Sequence, residues 1–257
     1  MIANYHTHTQ RCRHATGTEE EYIYQAIDAG FDVLGFSDHT PYWFPGDYYS
    51  TFRMFPEDLT DYVQTVLFMK EHFQRKIQIH LGLEVEYYPE YFAELMKHLR
   101  QHPIEYMILG QHYGGNEIGG RYTGGYQTDD ETVLTQYCDQ VIEGIQTDLF
   151  SCVAHPDILG FTGDEKVYRA QMHRLCVEAK AHDVPLEINL LGIRDGRHYP
   201  EPKFWQIASE VGCKCILGSD AHRAVDVCDP ECEDYAMTMV RSLKLDLQQK
   251  MELRPIR

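Results

Sequence analysis

Blocks of lysine or arginine are missing from this chain of 257 residues, whose formal net charge is −17. A protein that tracks nucleic acid presents clustered basic residues, so no nucleic-acid partner is expected. The same charge repels an anionic substrate at long range unless bound cations reverse the local field. Most of it serves solubility. No apolar run approaches the roughly 20 residues of a membrane span, so no membrane partner is expected either. The opening MIANYHTHTQ lacks the basic and apolar regions of a signal peptide. The eight cysteines therefore read as reduced thiols of a cytoplasmic protein. Cys213-x-Cys215 and Cys228-x3-Cys232 could together hold a structural zinc. Cys213 and Cys215 fall on an expected buried strand, however, where cysteine behaves as a small hydrophobe. Internal repeats and low-complexity linkers are also absent.

What is present alternates between short β-rich runs and longer helical stretches. Strands are expected at 2–7, 32–39, 77–87, 104–113, 149–157, 185–190 and 214–222. Helices are expected at 19–29, 56–74, 90–100, 129–145, 166–182 and 201–211, followed by a helical end with an irregular tail. Thr18-x-x-Glu21 is a capping box and Gly30 a stop signal for the first helix. Residues 43–54 and the glycine-rich 114–127 read as loops, the latter as a mobile cover for a site. Seven β/α units imply a parallel sheet, and a chain of this length closes it into a TIM-like (β/α)7 barrel. One domain spanning 1–257 is expected, with 43% hydrophobic residues to fill its core.

His6, His8 and His14 open the chain in an H-x-H-x5-H pattern. Further ligand types recur where the expected strands end: His39, Glu84, His112, His155, Asp220 and His222. Such barrels place their sites at those C-terminal strand ends. On a strand, residues i and i+2 point the same way, so His6 and His8 can share one ion. Asp220 and His222 have the same spacing. Glu84 has two oxygens and can bridge two ions. Seven histidines and two carboxylates exceed one tetrahedral centre and fit two or three with open positions. A lone histidine is more often a surface or core residue, and His72, His80, His98, His102, His173 and His182 read that way; His198 is left open. A full ring is not explained so. Clustered divalent ions activate water and clamp a phosphoryl group. Zinc, manganese and iron all suit such mixed ligands. A hydrolase of phosphate esters is the leading reading.

The segments YHTHTQRCRH, GFSDHTP, LGLEVEY, LGQHY, VAHPD and LGSDAH appear in the order and spacing of the polymerase-and-histidinol-phosphatase (PHP) metallophosphoesterases. The resemblance covers essentially the whole chain. It implies a distorted (β/α)7 barrel holding up to three metals. By the same resemblance His6, His8, Glu84 and Asp220 hold the first ion. Glu84, His112 and His155 hold the second, and His14, His39 and His222 the third. Asp38 reads as an orienter of a neighbouring imidazole.

Within the family the chain is most similar to histidinol-phosphate phosphatases. That implies hydrolysis of L-histidinol phosphate by a metal-bridging hydroxide, with Glu84, Asp220 and His222 as the catalytic residues. Arg194, with Arg53 and Arg197, is expected to bind the phosphate. The substrate's cationic end is expected against Glu187, Tyr113 or the 43–54 loop. The rivals are a related phosphoesterase for another small phosphate, a nucleotide or a phosphotyrosine, and a non-catalytic metal-binding regulatory barrel.

Overall fold

The computed structural model describes residues 1–125 and 127–256. Its strands are β1 (Ala3–Asn4), β2 (Val33–Phe36), β3 (Gln78–Val85), β4 (Tyr106–Leu109), β5 (Tyr113–Gly114), β6 (Arg121–Tyr122), β7 (Cys152–Val153), β8 (Leu186–Asn189), β9 (Lys214–Gly218) and β10 (Asp246–Leu247). Eight of them form one curled sheet in the order β1-β2-β3-β4-β7-β8-β9-β10, with every pairing parallel. The helices are α1 (Glu19–Asp28), α2 (Leu59–Phe73), α3 (Pro89–Leu99), α4 (Glu131–Gln146), α5 (Glu165–Ala181), α6 (Leu190–Arg194), α7 (Pro202–Val211) and α8 (Pro230–Leu243). The expected helices stand within two residues of their predicted starts, apart from the 3-10 turn Pro56–Asp58 that precedes α2. Thr18 and Glu21 form the predicted capping box.

The sheet closes at the end that carries the site. Thr7 and Ala221 form a parallel bridge, with the His8 N–H donating to Ala221 O at 3.0 Å. The first strand is shorter than the sequence pattern suggests, and Asn4 gives the reason. Its Oδ1 accepts from the N–H groups of His6 and Ser219 at 3.3 and 2.9 Å. A side-chain amide thus replaces ladder bonds there, and the chain past Asn4 is free to turn His6 and His8 inward. At its other end β9 pairs with β10, an eighth strand absent from the sequence-based expectation. Two residues carry no readable period, which is why β10 was not foreseen. The five-residue α6, capped by Asn189, escaped notice for the same reason.

Two layers of side chains support this frame. Tyr5, Val33, Tyr106, Ile108, Cys152 and Ile216 belong to one buried cluster. A larger cluster joins sheet residues such as Leu34, Ile79, Leu81 and Leu186 to the helices, including Ile23, Leu95, Val141 and Leu175. Burying each of these aliphatic side chains contributes about 1.5–3 kcal/mol. Cys213 and Cys215 are buried as expected of small hydrophobes. Among the described residues, no candidate metal cluster includes them or Cys228 and Cys232. Among the described residues, no helix is long and apolar enough to cross a membrane.

Candidate metal centre

All nine predicted ligands converge on one end of the barrel. Glu84, fully buried near the end of β3, lies at their centre. Its Oε2 is 3.0 Å from His39 Nδ1 and 3.5 Å from the Nε2 atoms of both His6 and His8. Its Oε1 is 2.9 Å from His155 Nε2 and 3.7 Å from His112 Nε2. Asp220 Oδ1 stands opposite, 3.4 Å from His6 Nε2 and 3.1 Å from His8 Nε2. His14, placed by the 3-10 turn Gln10–Cys12, brings its Nε2 to 2.9 Å from His222 Nε2.

Close approach of Glu84 needs the glycine that follows β4. A Cβ at Gly110 would fall 2.0 Å from Glu84 Oε1. Two of the nine are also held in left-handed backbone, His155 at φ 30° and Asp220 at φ 46°. Such conformations cost non-glycine residues of order 1–3 kcal/mol and persist where the surroundings impose them.

The imidazoles are aimed from behind. His6 Nδ1 contacts Glu187 Oε1 at 2.8 Å, and His112 Nδ1 contacts Glu86 Oε1 at 2.9 Å. His8 Nδ1 lies 3.4 Å from Asp38 Oδ1, so Asp38 has the orienting place foreseen for it. His14 Nδ1 donates to Cys12 O at 2.9 Å. A proton held on Nδ1 by these acceptors leaves Nε2 with its lone pair facing the centre. Even so, His6 Nε2, His8 Nε2, His39 Nδ1, Glu84 Oε2, Asp220 Oδ1 and His155 Nδ1 are buried without a hydrogen-bond partner among the described groups. Six stranded polar atoms in one place would cost roughly 1–3 kcal/mol each. A divalent cation would satisfy them, and the donor set of imidazole and carboxylate suits zinc, manganese or iron. Ligand atoms within 4.8 Å of one another group as His6–His8–Glu84, His39–Glu84–His112, His6–His155–Asp220 and His14–His39–His222. Cys12 makes one further group with His8 and His222, which the sequence reading missed.

Electrostatics show the same demand. Burial disfavours a charged Glu84, yet His39, His112 and His6 outweigh it and hold its pKa well below the ordinary range. Asp220 is likewise lowered, burial being outweighed by His6 and His8. Burial also disfavours a charged His6, but Asp220, Glu187 and Glu84 raise its pKa well above normal. His222 goes the other way, pushed down to about 3 by burial and by neighbouring His8. The two carboxylates are thus balanced by the positive ends of the groups around them, the charge that divalent cations would supply.

Above the ligands opens a cavity of 660 Å³. Arg194 and Arg197, the arginines expected at the phosphate, line it. Arg194 is held by Asp229 Oδ2 at 2.9 Å and Asp226 O at 3.1 Å, while its Nη1 is buried without a partner. Arg197 donates to Tyr199 OH at 3.0 Å and to Asp195. Phe52, Tyr113, Tyr122 and Tyr199 supply aromatic walls, and Arg223 is a third lining arginine that the sequence reading missed.

Three expectations are corrected here. Arg53 does not line the cavity; it is 2% exposed, hydrogen-bonded to Glu117 and Thr40 O and ion-paired with Glu86. Glu187 does not face the cavity either, because its carboxylate accepts from His6 and from the His155 N–H at 3.0 Å. Residues 114–127, expected as a loop covering the site, instead carry part of an antiparallel hairpin of β5 and β6 at the cavity wall, and Tyr126 of that stretch lies outside the described residues. His198 binds Ile158 O at 2.7 Å and stands apart from the cluster. Glu86 had a signal in the sequence. It follows Glu84 by two within the strand expected at 77–87, a spacing that puts it on the same face, although β3 itself ends at Val85.

The PHP domain model matches residues 4–190. A Deinococcus radiodurans protein named probable histidinol-phosphatase is 32% identical over 236 residues, covering 88% of each chain. A Lactococcus lactis histidinol-phosphatase is 23% identical, covering 86% of this chain and 84% of its own. The crystal structure of histidinol phosphate phosphatase from Lactococcus lactis, complexed with zinc, L-histidinol and phosphate, superposes with a TM-score of 0.71 at 20% identity. That match covers 96% of this chain and 95% of the other.

Proposed function

The chain belongs to the PHP domain family, and on that premise we propose that it hydrolyses L-histidinol phosphate to L-histidinol and phosphate in a metal-dependent reaction. The observation that carries this reading is the set of six buried, unpartnered imidazole and carboxylate atoms below one cavity. The names of the relatives and the zinc, L-histidinol and phosphate of the Lactococcus lactis complex support the substrate. His6, His8, Glu84 and Asp220 would hold one ion, Glu84 with His112 and His155 a second, and His14, His39 and His222 a third. His39 also reaches Glu84 and so would stand between the second and third. Bound there, divalent ions supply Lewis acidity toward phosphoryl oxygens and an activated water.

The chain's own residues do the rest. Glu187, Asp38 and Glu86 fix the imidazole rings so that their lone pairs face inward. Arg194 offers an unpartnered Nη1–H to the phosphate, and Arg197 stands beside it on the cavity wall. Phe52 and Tyr113, with ring centroids 5.9 Å apart and planes 21° from parallel, offer faces to an imidazole. We read the chain as one domain acting in the cytoplasm on this small substrate.

Arg194→Met tests the phosphate contact. Loss of one charge-assisted hydrogen bond should lower kcat/KM by about 10- to 100-fold. Zinc content should not change. An unchanged kcat/KM would remove Arg194 from the substrate site.

A further inference from the structure

Arg53 is among the largest side chains sealed inside the molecule. Its fork reaches three separate parts of the site. Nε donates to Glu117 Oε1 at 2.6 Å, Nη1 donates to Thr40 O at 2.7 Å, and Nη2 lies 3.0 Å from Glu86 Oε2. Each partner is one step from the metal cluster or the cavity. Thr40 follows His39. Glu86 accepts from His112 Nδ1. Glu117 sits in the turn between β5 and β6, whose Tyr113 and Tyr122 line the cavity. Glu117 also accepts from Tyr48 OH at 3.2 Å, across from the hairpin. Phe52, a cavity residue, packs its ring 4.5 Å from the guanidinium carbon.

We infer that Arg53 is a positioning residue. It fixes the His112 imidazole through Glu86, and it ties the 43–54 segment to the β5–β6 hairpin through Glu117. It thereby governs both metal retention and substrate affinity while touching neither. The inference rests on the cluster being a metal site. Without the guanidinium, Glu86 and Glu117 would face each other as buried, uncompensated carboxylates. A lysine would supply the charge but not the planar fork that reaches three acceptors.

The test measures zinc affinity by competition with a chromophoric chelator. Alongside it go kcat and KM for the phosphomonoester that the unaltered protein turns over fastest. Arg53→Met should weaken zinc binding by about 10- to 100-fold, the usual effect of losing a residue behind a metal ligand. It should also raise KM, while kcat at saturating zinc stays near that of the unaltered protein. Arg53→Lys should recover part of the zinc affinity and little of the KM. Glu117→Ala leaves Arg53 paired with Glu86 and removes only the tie between the wall segments. It should raise KM with zinc affinity unchanged. Zinc affinity and KM both unchanged in Arg53→Met would overturn the inference, as would lost kcat at saturating zinc with KM intact. If Arg53→Met does not fold, Glu117→Ala decides, and an unchanged KM there counts against the tie. An unaltered protein that binds none of zinc, manganese or iron would overturn the metal reading itself.

Discussion

Glu84→Gln is expected to lower turnover of L-histidinol phosphate by on the order of 10³-fold, the upper range for removing one preorganised electrostatic partner. Bound metal should fall with it. The reason is position. Glu84 is fully buried, and its two oxygens lie within 3.7 Å of nitrogens from His6, His8, His39, His112 and His155. Two of the candidate ligand groups depend on it. Glutamine keeps the shape, so the fold is retained. It also replaces one oxygen acceptor by an N–H donor and deletes the charge that several imidazoles share. An ion placed there would lose a ligand and meet the wrong end of an amide dipole. Elemental analysis of the purified variant, beside a phosphate-release assay, reads both effects. Full activity with full metal content would sink the assignment.

Metal removal should cost stability as well as activity. Carboxylates and imidazoles are packed together in the cluster: against the effect of burial, His6 and His8 push the pKa of Asp220 down and the carboxylates push those of His6 and His8 up, with His155 and Asp220 in left-handed backbone. That arrangement is sustained by the surrounding fold. A ligand present at about a thousand times its Kd stabilises by about 4 kcal/mol. For a chain near this size each kcal/mol moves Tm by about 2–4 °C. Chelated protein should therefore melt about 10 °C below the zinc-replete form, and adding zinc back should restore the difference. Identical melting curves with and without chelator would mean that the cluster is held by the fold alone.

The ligand ring was legible because its chemistry and its placement are independent signals. Histidines and carboxylates at the ends of β-patterned runs are recognisable as residue types, and the alternation of strands and helices says where those ends meet. The support behind the ring was harder to read. Glu187 and Glu86 are carboxylates near strand ends, like Glu84, and nothing in their local sequence separates an ion ligand from a partner that aims a histidine. Arg53 was expected at the phosphate on the resemblance to histidinol-phosphate phosphatases, as an arginine in a loop beside the metal site. Its actual partners, Glu86 and Glu117, lie 33 and 64 residues away along the chain. Only the hairpin of β5 and β6 brings Glu117 to it. The strand expected at 2–7 is present but cut short to Ala3–Asn4. The apolar pattern was right, but the Asn4 side chain intercepts the ladder and releases His6 and His8 toward the centre.

The most direct test of the account is phosphate release from L-histidinol phosphate, measured with zinc- or manganese-replete protein and with chelated protein, beside a panel of other phosphomonoesters. The account predicts a rate on L-histidinol phosphate far above the panel and its loss on chelation. A flat, slow profile across the panel would contradict the assigned substrate, and a rate that survives chelation would contradict the metal-dependent reaction itself.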